Sequence, residues 1–504
     1  MTRARTRFAA SLFLGILAAG AHRPAPVQSA FERFMKPYVT AGDFSGAILV
    51  ARRGKLLYRE NYCRLDYESN IPHSRRSRFH IASLSKTFTA AGILLLEQDG
   101  KLSLLDRLSK YVSDYADADR ITLTQLLEHS SGLPDYYSLP EYPGLKRSPI
   151  TLEQLISIVK TKPLDFAPGT QNRYSNTGYA FLAYVIEKAS GLAYDRFVRE
   201  RLLLPAGMKD SGTWSDEPLI PFRARGYQPW VGTAGLRNAP FYDKTLLTGS
   251  GSLYSTAEDL WAWYRFFRDR GLFPVDGSHH PYGWGLRKKD GRSYLEQDGR
   301  DPGFVSHMTV FPEEDLVVIV LGNLEIAADS AIADGLAAIA LGNRPNSPAV
   351  RQTYPLDKDS LASYAGRYEV SPNFVLDVAS AGGHLFLRGT GGDFLPLDPT
   401  GKDVFFYRQL YVTVRFQLDE TRKATTLLWG GDFPCRRIGD APADAVEALR
   451  AAVAADPGTR ADVNAGLRPA FSTAEGLPLG ALRPTSAGPR LHSRGRAGEG
   501  ARRP

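Results

Sequence analysis

Cysteine is almost missing from this 504-residue chain, which has Cys63 and Cys435 and no others. One lies early and one late; a bridge is compatible with an exported protein, and two buried thiols are the simpler arrangement. Nine histidines are scattered with no His-x-x-x-His, and no Cys-x-x-Cys exists, so no metal site and no cofactor are expected. There is no Gly-x-Ser-x-Gly, which removes the nucleophile elbow of an α/β-hydrolase. Past residue 21 no stretch is long and apolar enough to span a bilayer. A concentrated basic surface is also missing. Of the formal +8, three units sit in Arg3, Arg5 and Arg7 and three in residues 441–504, where nine arginines face six acidic residues. Two units then remain for residues 22–440, and nucleic-acid binding is not expected.

What is present begins with an export signal. Met1 to Ala21 has that basic start, an apolar run from Phe8 to Ala19 and a small-x-small site at Ala19-Gly20-Ala21. The expected location is periplasmic or extracellular, with no stable span after cleavage; an uncleaved anchor is the rival reading.

Ser83-Leu84-Ser85-Lys86 carries the chemistry. Residues i and i+3 of a helix share a face, so a helix starting near Ser83 brings its hydroxyl and the Lys86 amine together. A serine needs a base to become a nucleophile, and a lysine serves if burial lowers its pKa. Backbone N–H groups at a helix start also suit a developing oxyanion. The same spacing recurs by chance at Ser157 and Lys160, inside an apolar helical pattern with no turn before it. Ser83 instead follows a strand-like run, Phe79 to Ala82, and enters a helix from Thr87 to Leu96 that is apolar nearly all round.

Two further pieces follow. Tyr174-Ser175-Asn176 comes after the Pro168-Gly169 turn, where in an extended loop a phenol and a carboxamide share one side. Tyr174 could relay protons if Lys86 lowers its pKa, and Asn176 could orient lysine and substrate. Gln297-Asp298-Gly299-Arg300 enters a strand, and Gly299 permits close backbone approach to a ligand.

Around these pieces, Phe44 to Asn61 reads as a β-hairpin turning at Arg53-Gly54. Helical patterns cover Phe88–Gln98, Thr122–Glu128, Leu152–Lys160, Tyr179–Ala189 and Ala257–Phe267; strands return at Phe304–Phe311 and Leu316–Leu321. Terminal strands around a helical middle predict an α+β domain whose ends share a sheet. After Arg344-Pro345-Asn346-Ser347-Pro348 the period changes to two, predicting a small antiparallel β-barrel or sandwich. A short helix near Val446–Val453 and disorder from Pro457 complete the reading.

Ser-x-x-Lys, Tyr-x-Asn and x-x-Gly in this order resemble the serine β-lactamase and penicillin-binding protein family. The match is strongest to its class C-like branch, which includes D-alanyl-D-alanine carboxypeptidases, D-aminopeptidases and esterases. Ile121 to Pro134, Pro205 to Met208 and Ser250 to Leu260 are similar to further family phrases, over roughly residues 30–340. The resemblance implies a β-lactamase/transpeptidase-like fold, an antiparallel sheet flanked by helices with a helical subdomain inserted. It also implies an acyl-enzyme on Ser83, proton transfer by Lys86 and Tyr174, and positioning by Asn176. Gln297, Gly299 and Arg300 would contact substrate, with the Ser83 and Arg300 N–H groups as the oxyanion hole. His129 falls in a phrase that is structural in this family. At Gln297 the chain departs from the family, which usually places Lys or His there to meet a substrate carboxylate; Arg300 or the run Arg287-Lys288-Lys289 could compensate.

The C-terminal strands resemble the lipocalin-like β-domain of some relatives, opened by Leu361 to Tyr368. The expected organisation is a signal (1–21), a hydrolase domain (30–343), a linker (344–355), the β-domain (356–440) and a tail (441–504). The expected partner is a small-molecule or peptide substrate; the oligomeric state is open. The favoured activity is that of an esterase or D-amino-acid peptidase. The alternatives are an impaired binding protein that keeps the fold, or a true β-lactamase or D,D-carboxypeptidase.

Overall fold

The structure is a computed structural model that describes residues 26–231, 235–270, 281–326, 328–346, 354–371 and 374–455. The expected signal, the middle of the expected linker and the tail beyond Pro457 lie outside them.

Helix α1 (Pro26–Thr40) leads into the hairpin of β1 (Gly46–Arg52) and β2 (Lys55–Tyr62). Its turn residues Arg53 and Gly54 both have positive φ, 51° and 69°, as a two-residue hairpin loop of this twist requires. The helical middle contains α2 (Lys86–Gln98), α3 (Leu123–Leu127), α4 (Leu152–Val159), α5 (Asn176–Ser190) and α6 (Ala257–Asp269). Capping boxes start α3 and α4: Thr122 with Gln125, and Thr151 with Gln154. Strands β3 (Gly285–Lys289), β4 (Arg292–Asp301), β5 (Phe304–Phe311) and β6 (Leu316–Gly322) follow, then α7 (Ala328–Ala340).

The sheet runs β3-β4-β5-β6-β1-β2, antiparallel throughout, and Gly46 faces Gly322 where the two ends of the domain meet. Alternate residues point to opposite faces. Leu49, Val317 and Ile319 join the core beneath α2, α5 and α6; Ile48, Val50, Val318 and Val320 pack under α1 and α7. With both faces covered, β1 and β6 read as continuous apolar runs rather than alternating ones. Helices α1 and α7 escaped the sequence reading. The first has Pro37 inside it, and Gly335 weakens the second yet is required there, because a Cβ would sit 2.0 Å from the Phe34 ring.

Eight strands then form a closed antiparallel barrel: β7 (Gly366–Ser371), β8 (Phe374–Ala381), β9 (His384–Gly389), β10 (Leu395–Gly401), β11 (Val404–Tyr407), β12 (Val412–Leu418), β13 (Ala424–Trp429) and β14 (Phe433–Gly439). Two strands missing from the sequence reading contain prolines, Pro396 and Pro399 in β10 and Pro434 in β14, which obscure a strand pattern. Side chains such as Tyr368, Phe405, Phe416 and Leu427 fill the interior as a core. Helix α8 (Ala443–Ala455) packs outside through Leu449 and Val453. Cys63 and Cys435 are both free thiols, Cys63 only half-buried.

Candidate active site

Ser83 lies in a 3-10 turn, Ala82–Ser85, that precedes α2; the α-helix itself starts at Lys86. The helix start expected near Ser83 is one short turn too early. Ala82 enters that turn with φ +45°, a left-handed conformation that is strained for a residue with a side chain. The turn is clamped from outside: Ile81 N donates to the Leu253 carbonyl at 3.0 Å, and Ser306 Oγ donates to the Ile81 carbonyl at 2.7 Å. Gly299 of β4 lies directly against it. A Cβ there would come within 2.3 Å of the Ile81 carbonyl oxygen and 2.8 Å of Ser83 N. The close approach that Gly299 permits is thus to the serine's own loop.

Lys86 is 1% exposed, and its ammonium donates to three acceptors: Ser83 Oγ (3.1 Å), Asn176 Oδ1 (2.9 Å) and the Ser250 carbonyl (2.7 Å). Burial pulls its pKa down to about 7, with Asp135 and Asp298 acting in the opposite sense. Deprotonated, the amine can keep two of these bonds and turn its lone pair toward Ser83. The Tyr174 hydroxyl donates to Ser83 Oγ from the other side at 2.9 Å. Lys86 does approach the Tyr174 ring, at 4.8 Å from its centre, but it does not lower the phenol's pKa. Desolvation of the hydroxyl raises it, against the Ser83 hydrogen bond. Tyr174 therefore starts as a phenol, a proton donor.

Tyr174 and Asn176 reach the same place by a route different from the expected extended loop. Ser175 is the N-cap of α5, its side chain accepting from Gly178 N at 3.2 Å, and Asn176 is the first residue of the helix. His129 Nδ1 accepts from Ser175 N at 3.0 Å and its ring stacks on Tyr174 at 4.6 Å, a supporting position. Asp135 was missed, although it directly follows the family-like phrase ending at Pro134. Its Oδ2 accepts from Asn176 N (2.5 Å) and Nδ2 (3.2 Å), which turns Oδ1 of the amide toward Lys86. Ser250 was quoted only as part of a phrase; its carbonyl is the third acceptor of Lys86.

Strand β3 begins at Gly285, opposite Glu296, so residues 297–301 of β4 have no strand partner on that side. The two-residue loop Pro302-Gly303 makes Asp301 and Phe304 a hydrogen-bonded pair, and hence Gly299 and Ser306 as well. The N–H of Arg300 then points away from β5, out of the unpaired edge. Gln297 shares the Gly299 face, and its amide donates to the Asp298 carbonyl at 2.8 Å. None of the arginine and lysine contacts seen supplies the missing charge. Arg300 donates to Asp329 at 2.9 Å on the opposite face, Arg287 pairs with Glu296 and Lys289 with Asp334. Among the described residues no cluster of metal-ligating side chains occurs.

Residues 30–342 match the beta-lactamase family, and residues 351–437 match a domain of unknown function, DUF3471. Penicillin-binding protein 4* of Bacillus subtilis (strain 168) is 28% identical over 422 residues, covering 77% of this chain and 93% of the relative. A D-aminopeptidase of Brucella anthropi is 30% identical over 343 residues, 64% of each. The crystal structure of a penicillin-binding protein from Bacillus halodurans superposes with a TM-score of 0.52 over 62% of this chain and 97% of that one, at 24% identity. Matched over most of its length by that family and carrying its β-lactamase/transpeptidase-like fold, the chain belongs to the beta-lactamase family of serine hydrolases.

Proposed function

We propose that this protein is an exported hydrolase that acylates Ser83 and releases the acyl group to water, acting on a small neutral ester or an amide of the D-amino-acid type. The observation that carries the reading is a buried amine with a pKa of about 7, hydrogen-bonded to a half-buried serine. Neutral Lys86 takes the Ser83 proton as Oγ attacks the acyl carbon, and the carbonyl oxygen becomes an oxyanion facing the N–H groups of Ser83 and Arg300. As the oxyanion collapses, the bond to the leaving group breaks. Tyr174 gives that group its proton and recovers one from the Lys86 ammonium. Water repeats the sequence in reverse order and frees Ser83.

Neutral substrates are favoured by Gln297, which brings no charge for a carboxylate. A charged hydrogen bond is worth about 1 kcal/mol or more beyond a neutral one. The D-aminopeptidase relative supports the amide alternative. Export rests on residues 1–21, and the division into domains at 30–343 and 356–440 belongs to the same reading. Among the described residues no helix is long and apolar enough to cross a membrane.

Intact-mass measurement after mixing with an activated neutral ester tests this. A transient adduct is expected, lost in Ser83→Ala; no adduct and no turnover would leave a binding protein that keeps the fold. Gln297→Lys is expected to raise kcat/KM for a carboxylate-bearing substrate by about fivefold or more relative to a neutral ester, the equivalent of that 1 kcal/mol or more. Equal effects on both would rule out the account of Gln297.

A further inference from the structure

Arg300 belongs to two places at once. Its N–H emerges at the free edge of β4 beside Ser83, while its guanidinium sits behind the strand, donating to Asp329 Oδ1 at 2.9 Å and to the main-chain carbonyl of Gln409 at 3.3 Å. Gln409 comes from the barrel, in the turn Arg408–Leu410 between β11 and β12. Its side chain is held as well: Oε1 accepts from the Tyr407 hydroxyl, and Nε2 donates to Glu325 Oε1 at 2.5 Å. The other oxygen of Glu325 accepts from Gly303 N (2.9 Å) and from Gln228 Nε2 (2.7 Å). Gly303 is in the loop that ends β4. One barrel residue thus grips the segment 300–303 twice, directly at Arg300 and through Glu325 at Gly303. Arg408 fastens the same turn, donating to the Ala41 carbonyl at 3.2 Å and pairing with Asp398 at 2.9 Å.

We propose that the side chain of Gln409, a residue of the barrel, is a positioning group for acyl transfer, holding Glu325 and through it the Gly303 end of β4 so that the Arg300 N–H stays aimed at the acyl oxygen. This rests on the hydrolase reading above. An oxyanion donor acts only where it meets the charge of the transition state, so its displacement lowers kcat rather than raising KM. Removing such a donor costs about 10²–10³ in kcat, and loosening its support costs part of that.

The test uses the full-length protein and Gln409→Met, which keeps the side-chain volume, removes both hydrogen bonds of the side chain and leaves the main-chain carbonyl on Arg300 in place. Tyr407→Phe, which removes only the hydroxyl that orients the Gln409 amide, is the milder second variant should the first fold poorly. Burst amplitude with an activated neutral ester counts acylating sites, and kcat is expressed per site. The affinity for phenylboronic acid is measured in parallel, because its tetrahedral adduct on Ser83 places an oxygen where the oxyanion forms.

For Gln409→Met, kcat per site is expected to fall about tenfold with KM within twofold, and boronate affinity to weaken by the same factor. Tyr407→Phe should move both in the same direction by a smaller factor. Unchanged kcat per site, or a fall in kcat with boronate affinity intact, would overturn the positioning role. A lower burst amplitude with normal kcat per site would make Gln409 a stability residue only, and also overturns it. Absence of any adduct in the unmutated protein would instead overturn the hydrolase reading beneath it.

Discussion

Lys86 is the residue on which the proposed chemistry turns, because its three acceptors and its burial work against each other. Burial destabilises the ammonium, whereas Ser83, Asn176 and Ser250 solvate it, and the result is a pKa of about 7 in place of 10.5. Acylation, which needs the neutral amine, should rise with pH through about 7 and level off above it. Stopped-flow acylation rates over pH 5–9 check this; a limb displaced by two units or more would show that another group controls the step. The same shift affects stability. Between pH 7 and 10.5 the unfolded chain holds a proton on Lys86 that the folded one has released, so this residue's contribution to stability rises with pH across that window. Ser-x-x-Lys was legible in the sequence because covalent spacing fixes it. The lysine's pKa was not, since Asp135 and Ser250 come from distant segments.

At the scale of elements, β4 has a face toward Ser83 and a face toward α7, and each ends in a buried ion pair. Asp301, at the end of the strand, is fully buried with Lys244, and His80 Nδ1 stands 3.3 Å away. Burial first, then the Lys244 charge, holds His80 neutral by pushing its pKa well down. Lys244→Met strands the Asp301 carboxylate and is expected to cost about 3–5 kcal/mol in urea unfolding, most of it regained in the double variant with Asp301→Leu. A loss under 1 kcal/mol would mean that Asp301 simply takes up a proton. The elements legible in the sequence were those with a clear period or cap. Strands β5 and β6, and helices α2 to α6, fall within a few residues of their expected places. Helices α1 and α7 form because each covers the other and the sheet, and the proline-bearing strands β10 and β14 because a closed barrel needs partners for both edges.

For the whole molecule, the junction between the hydrolase domain and the barrel is polar and centred on Glu325. Burial lifts its pKa to about 7, opposed by hydrogen bonds from Gln228, Gly303 and Gln409 and reinforced by Asp393. Between pH 4.5 and 7 the folded state holds a proton that the unfolded chain has lost, so the contribution of Glu325 to stability falls as pH rises, by up to about 1 kcal/mol per pH unit. Glu325→Gln should flatten the decline of Tm over that range; an identical slope in the variant would assign the decline to other groups.

The sequence by itself determined the candidate site pieces, their order, the α+β fold and the β-rich barrel after it. These are set by local spacing and by hydrophobic period, which each segment carries alone. The tertiary structure decided that Ser250 completes the lysine's hydrogen bonds and Asp135 orients Asn176 toward it, that the Tyr174 hydroxyl donates to Ser83, and that the barrel reaches Arg300 through Gln409. Each of these depends on the desolvation and approach of groups 40 or more residues apart, and no local pattern encodes that.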